Sequence, residues 1–294
     1  MEAKDRIALE RNCAAHVRRL AWLGRMSAVA LVLSTALASA QEPRQRAGGY
    51  LDNRYSVTVG VFALRPETTV RLDSPNGRFG TTLSMEDDLG LESSATAADL
   101  TFSARIGERH RVELEQFGIA RSGERSNLRT IQVGRDTYDV GLQLDSEFDM
   151  DVTRLGYAYS FVRDTNKEVG IHVGVHVTDM AMRVTAALRP ITESTQELAN
   201  TTAPLPVIGA QGAYRFLPRW TMRGRAQFFR LAAGDYEGAI NHVAIAFEHA
   251  TFEHVGLGVA LDYFEVDLDS DDTSFLGAFE LKFTGPRLFA HMSF

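Results

Sequence analysis

Two histidines stand four residues apart in "EVGIHVGVHVTDM", His172 and His176, a pairing that suggests a metal site. On a strand, four residues span about 13 Å at roughly 3.3 Å each. One ion with bonds near ~2 Å cannot bridge that gap, so the two read as polar residues lining an interior. "HMSF" sets His291 and Ser293 on one strand face, the types a hydrolase uses as base and nucleophile. Such a pair needs mutual hydrogen-bond reach and access to substrate, and no local motif provides it. "DLDSDD" carries Asp267, Asp269, Asp271 and Asp272 with the spacing of a calcium loop. The loop's glycine and bidentate glutamate are missing, because Asp272 and Ala278 occupy their places. It reads as an acidic, solvated hairpin tip. "EDDLGLE", Glu86 to Glu92, reads as a segment folding over the mouth of whatever lies beneath it. No nucleotide-binding glycine loop appears, and neither a cofactor nor a metal is expected.

A larger set of charges remains: Arg105, Arg111, Glu113, Glu115, Arg154, Arg223, Arg225, Glu248, Asp262, Glu280 and Lys282. They matter because of the elements that carry them. From residue 54 onward the chain shows strands of period two rather than helical stripes. Val169, Ile171, Val173, Val175 and Val177 oppose Gly170, His172, Gly174, His176 and Thr178. Leu155, Tyr157, Tyr159 and Phe161 oppose Arg154, Gly156, Ala158 and Ser160. Met222, Gly224, Ala226 and Phe228 oppose Arg223, Arg225 and Gln227, while Val255 to Tyr263 oppose Gly256 to Asp262 in the same way. All the charges above fall on the face opposite the apolar one. In a narrow interior they must form ion pairs or hold water.

The connections alternate in length. Short turns fall near Gly107-Glu108, Asp164–Lys167, Leu217–Arg219 and His249–Thr251. Longer or more acidic links fall around 66–95, 122–146, 184–205, 232–236 and 269–272. That rhythm fits a membrane barrel with tight turns at one end. A soluble ligand-binding barrel would place the apolar face inward. Three features favour apolar-out: glycines and charges together on the second face, aromatics such as Tyr159, Phe161, Tyr214, Phe216, Trp220, Phe247 and Phe252 flanking the short turns, and segments matching the 9–11 residues a strand needs to cross hydrocarbon.

The first 40 residues read as a cleavable secretory signal. Arg18, Arg19 and Arg25 precede the apolar "MSAVALVLSTALASA", which ends in the small-x-small site Ala38-Ser39-Ala40. Its removal would take Cys13 and leave 25 Lys and Arg against 35 Asp and Glu. An exported chain without cysteine gains nothing from disulfides, and its acidity argues against nucleic acid as a partner. Residues 41–53 then form a short N-terminal segment and 54–294 the barrel.

The signal, the alternating strands, the short/long rhythm and the terminal "LFAHMSF" resemble small Gram-negative outer-membrane β-barrel proteins. The resemblance implies an all-β, antiparallel transmembrane β-barrel with long outer hairpins and short periplasmic turns. It implies outer-membrane lipids and lipopolysaccharide as surroundings, and an insertion signal read by the barrel-assembly machinery at Leu288, Ala290, Met292 and Phe294. Both ends would be periplasmic, so the strand number is even. About ten strands are expected, with eight or twelve as alternatives. Apolar parity is odd at Phe275, Phe279, Leu281 and Phe283 but even from Leu288 to Phe294. A one-residue bulge at Thr284–Pro286 is therefore expected inside one long final strand. "ETTVRLDSPNGRFGTTLS" and "LRTIQVGRDTYDVGLQL" should be projecting hairpins. The functional expectation is a non-enzymatic barrel with an envelope-structural or surface-interaction role. The alternatives are a narrow polar pore for small solutes and a lipid-modifying enzyme.

Overall fold

Strand propensity and strict alternation yield, among the described residues, thirteen strands: β1 (Tyr55–Leu72), β2 (Leu83–Ser84), β3 (Ala95–Ile106), β4 (His110–Ser126), β5 (Ile131–Val133), β6 (Asp136–Tyr138), β7 (Gln143–Arg163), β8 (Lys167–Leu188), β9 (Thr192–Leu217), β10 (Trp220–Ala233), β11 (Tyr236–Ala250), β12 (Val255–Asp272) and β13 (Phe275–Ser293). The computed structural model describes residues 50–51, 53–73, 82–126, 131–133, 136–138, 143–188, 192–233, 236–272 and 275–294. Ten strands pair in the order β1, β3, β4, β7, β8, β9, β10, β11, β12, β13, and β13 pairs back to β1. Every pairing is antiparallel, so the sheet closes without an edge, as a barrel in lipid requires. The expectation of ten strands holds.

The short turns, the start of β1 and Phe294 share one end. Gly107, at φ 64°, makes the tight β3–β4 turn possible. The Tyr55 amide donates to the Phe294 carbonyl at 3.2 Å, and the Phe294 amide donates to the Tyr55 carbonyl at 2.8 Å. At the other end, β2 pairs with β1 through Thr69↔Ser84 and Val70↔Leu83, and β5 and β6 form a separate hairpin between β4 and β7. These are the two projecting hairpins expected from the sequence. The first one's tip at 74–81 lies outside the described residues, as does the β12–β13 tip at 273–274.

The strands exceed what a bilayer needs. β8 has 22 residues, about 70 Å at roughly 3.3 Å each, against ~30 Å of hydrocarbon. The wall accordingly has two zones. Near the short turns the apolar side chains point out: Ile171 is 53% exposed and Val173 43%, and Val59, Val61, Leu155, Ile245, Leu257 and Leu261 share that exterior. Aromatics Phe161, Tyr214, Phe216, Trp220 and Phe252 sit exposed at the turn end of this band. Nearer the hairpins, Phe62, Leu64, Phe117, Phe148, Met150, Met180, Met182, Phe264, Phe279 and Phe283 are buried in one interior cluster.

That inversion corrects the bulge. Strand β13 pairs with β12 at one constant offset from Val255↔Met292 to Asp272↔Phe275, and with β1 at one offset on both sides of Pro286. No residue is inserted at Thr284–Pro286. Odd residues face inward along the strand, from Phe279, Leu281 and Phe283 to Phe289, His291 and Ser293, all buried. What changes near Pro286 is the environment outside, and with it which side carries apolar residues. Glu280 and Lys282 therefore sit on the outer face, with side chains 40% and 38% exposed, and not in the lumen. The side chain of Phe275 lies outside the described residues.

Candidate functional site

Chemistry concentrates inside the lower zone, beginning at the turn end. Residues Tyr50, Leu51 and Asn53 fold into the barrel mouth and are buried. The Tyr50 ring lies under the guanidinium of Arg111 at 3.8 Å and beside that of Arg223 at 4.8 Å, cation–π geometry that holds the plug. Arg111 Nη2 donates to the Tyr50 carbonyl at 3.2 Å, and Arg163 Nη2 to that of Leu51 at 3.2 Å. Asn53 Nδ2 donates to His291 Nε2 at 2.9 Å, which leaves His291 Nδ1 to donate to Thr58 Oγ1 at 2.9 Å. His291 thus orients the plug, and both its nitrogens are occupied.

Above the plug, period-two alternation brings the charges together. Arg105 grips Glu168 through two bonds of 3.0 and 2.7 Å, and Ser160 Oγ donates to the same carboxylate at 2.5 Å. Arg111 lies 3.6 Å from Glu168. Arg154 pairs with Glu115, and Arg225 pairs with Glu113 and lies 3.5 Å from Glu115. Arg223 meets Glu248 at 3.3 Å. Arg287 bridges Asp99 at 3.1 Å and Asp262 at 3.3 Å. Among the described residues, six arginines face six carboxylates in this layer, and each has a counter-ion; a seventh, Arg163 at the turn end, reaches Glu168 from below at 3.9 Å. The layer is neutral as a whole, the condition under which buried charge is tolerable.

Gln227 is the hub of the neutral groups. Its Oε1 accepts from Arg154 Nη1 at 3.1 Å and His242 Nδ1 at 3.2 Å, and its Nε2 donates to His172 Nδ1 at 2.8 Å. His172 fits because residue 156 is glycine: a Cβ there would fall 2.3 Å from His172 Nε2. His176 lies one step higher and stacks on Phe264 with ring centroids 6.4 Å apart. The two histidines are thus lumen-lining and hold different neighbours. A polar cavity of about 80 Å³ remains between plug and network, bordered by Thr58, Thr101, Gln211, Arg225 and His242. It has room for a few waters.

Above the polar layer, the interior is filled by the apolar cluster, with residues 83–92 packed over it. Met85 and Leu89 are fully buried, and Leu91 bridges to Gly123. Gly123 is required because a Cβ would fall 1.8 Å from the Gly90 carbonyl oxygen. Glu86 binds Arg121 and also accepts from the Thr68 amide at 2.9 Å. "EDDLGLE" does fold over the mouth, apolar side down.

Of the charges singled out in the sequence, Arg105, Arg111, Glu113, Glu115, Arg154, Arg223, Arg225, Glu248 and Asp262 point inward and meet in one network. Sequence reasoning missed Asp99, Glu168 and Arg287, which share the inner parity and were legible by the same alternation. Tyr50 carried no periodic signal. Leu288, Ala290, Met292 and Phe294 face outward, with Leu288 67% exposed. Ser293 is buried at the turn end, beside a histidine already committed to Asn53 and Thr58.

Neither a family model nor a curated protein matches the chain. Solved structures do. The outer-membrane protease OmpT from Escherichia coli superposes with a TM-score of 0.54 at 10% identity, over 83% of this chain and 98% of that one. The fold is that of an outer-membrane β-barrel. OprG from Pseudomonas aeruginosa (12% identity, 84% and 98% covered, TM-score 0.34) and Ail from Yersinia pestis (8%, 80% and 99%, 0.33) also match. Identity this low speaks for architecture, since one barrel fold hosts many activities.

Proposed function

We propose that this chain is a non-enzymatic barrel of a Gram-negative outer membrane. In this reading its lumen is a structural seal, and its hairpin half is a rigid extension for surface contacts. The carrying observation is closure in series. The Tyr50 plug, the neutral ion-pair layer, the Phe/Met cluster and the 83–92 cap occupy successive levels of one interior. A pore that selects ions by charge exposes an excess of one sign to water; here the charges cancel and are buried. The similarity to a protease supports the fold without carrying its activity over.

Planar-bilayer recording with the purified full chain tests the reading. No stepwise conductance is expected. Reproducible single-channel steps that change with Arg223→Ala or Arg225→Ala would overturn it in favour of a narrow polar pore.

A further inference from the structure

Methionine is concentrated in the hairpin half of the interior. Beyond residue 40 the chain has six methionines, and Met85, Met150, Met180 and Met182 all lie in one buried cluster. They are dispersed in the sequence, so only the fold collects them. The other two, Met222 and Met292, stand on the outer face.

Strand pairing sets their spacing. Met150 on β7 stands directly opposite Met180 on β8, and Met182 is the next inward residue of β8, opposite Phe148. Opposite residues on one face have Cβ atoms about 4.5–5.5 Å apart, and diagonal ones about 7–8 Å. A methionine side chain is unbranched, with three rotatable bonds, so the three sulfurs can turn onto one point between the strands. Met85 belongs to the cap and is fully buried in the same cluster. Its amide donates to the Thr68 carbonyl at 2.9 Å, and its carbonyl accepts from the Leu91 amide at 2.9 Å, which fixes it over the wall.

The surroundings select a guest by charge and softness. The inward neighbours of the three wall methionines are Ser146, Phe148, Val152, Thr178 and Val184, none of them charged. Arg121, which lies over the Phe148 ring at 5.2 Å, is neutralised by Glu86 of the cap. A divalent ion would bring two uncompensated charges into this chamber, at high cost. Thioether sulfur is a neutral, soft ligand that favours Cu(I) over hard cations.

We propose that this chamber binds one soft monovalent metal ion of the Cu(I) class through Met150, Met180 and Met182, with Met85 closing the site from the cap. Binding then ties the cap to the wall. The entry path is the cap itself, which Glu86 clasps to Arg121 and to the Thr68 amide. The proposal goes beyond the structural reading and stands whether or not the lumen conducts.

Native mass spectrometry of the full chain in detergent tests it, with Ag(I) as the air-stable probe in chloride-free buffer. Excess Ca(II) occupies exposed carboxylates, and about pH 5 protonates exposed histidines while leaving thioethers untouched. One retained silver ion per barrel is expected, with a sulfur-only first shell by X-ray absorption. Met150→Leu and Met180→Leu conserve volume and should each weaken retention on the order of tenfold or more, with the circular-dichroism spectrum unchanged. The same loss is expected of Met182→Leu, so a misfolded variant at one position leaves two others to decide. Met85→Leu should speed release on the order of tenfold, and Met222→Leu on the outer face should change nothing. No silver on the wild type, nitrogen or oxygen in the first shell, or wild-type retention in the three wall variants overturns the proposal.

Discussion

The two halves of this barrel wall use the same strands and obey opposite rules. On β11, Val243, Ile245 and Phe247 face out while His242 and Glu248 face in; a few residues on, Glu237 and Asn241 face out while Ile240 is buried. On β12 the change falls between Tyr263 and Phe264, and on β7 between Val152 and Thr153. The cause is the solvent outside. Where hydrocarbon surrounds the wall, apolar residues gain nothing by turning inward, so the interior is polar and must satisfy itself. Where water surrounds it, the hydrophobic effect fills the interior with Phe and Met as in any soluble barrel. One half is held by backbone closure and paired charge, the other by apolar burial.

The largest effect is expected where the lower half's rule is broken. Arg154 is almost fully buried and serves Glu115 and Gln227. Arg154→Ala removes the nearer partner of the buried Glu115 carboxylate, leaves it only Arg225 at 3.5 Å, and should cost about 3 kcal/mol, read by denaturant unfolding in detergent. The double replacement Arg154→Met with Glu115→Leu removes both charges at similar volume and should cost less than the single change. A single substitution costing under ~1 kcal/mol would show that water, and not ion pairing, supports this layer.

A sharper comparison uses one face of one strand. Ile245 and Asn241 both point outward on β11, four residues apart. Ile245→Arg places a charge toward hydrocarbon and should cost about 2–4 kcal/mol in lipid. Asn241→Arg should stay within about 0.5 kcal/mol, the range of ordinary surface changes. Equal costs at the two positions would remove the boundary from between them.

The same boundary explains what the sequence did and did not disclose. Strand number, turn rhythm and the two hairpins were legible because period two and turn residues are local signals. Most of the polar network was legible too, since inner parity alone collects Arg105 to Asp262. The final strand misled because a string of residues reports that two faces differ, not which one meets water. At Gly285-Pro286 a face inversion and a one-residue bulge give the same string. The discriminating signal lay elsewhere: Phe264 and Val266 against Glu265 and Asp267 show the same exchange with neither glycine nor proline nearby. A bulge can reset one strand; an inversion repeated on β7, β11 and β12 is set by the environment. Glu280 and Lys282 were misassigned for that reason alone.

The smallest expected effect tests whether the upper exterior is truly wet. Asp267 faces outward opposite Glu280, with Glu265 two residues away. Partial burial raises its pKa above the usual aspartate value, and the carboxylates of Glu265 and Glu280 add to the shift. Lys282 lies 3.2 Å from Glu265 and also binds Glu280, so it offsets only part of the repulsion. The sign follows from linkage: an acid whose folded pKa is raised binds its proton more tightly when folded, so its charge weakens the fold above that pKa and not below the unfolded one. Asp267→Asn should therefore stabilise by a few tenths to about 1 kcal/mol at neutral pH, a cross-strand like-charge pair in a solvent-screened setting. The gain should fade as pH drops through the ordinary aspartate range, and shrink in high salt. Unfolding midpoints of the two proteins at neutral and acidic pH check this. A gain that persists in acid would mean the side chain is paired and buried, as in the lower half, and not set against water.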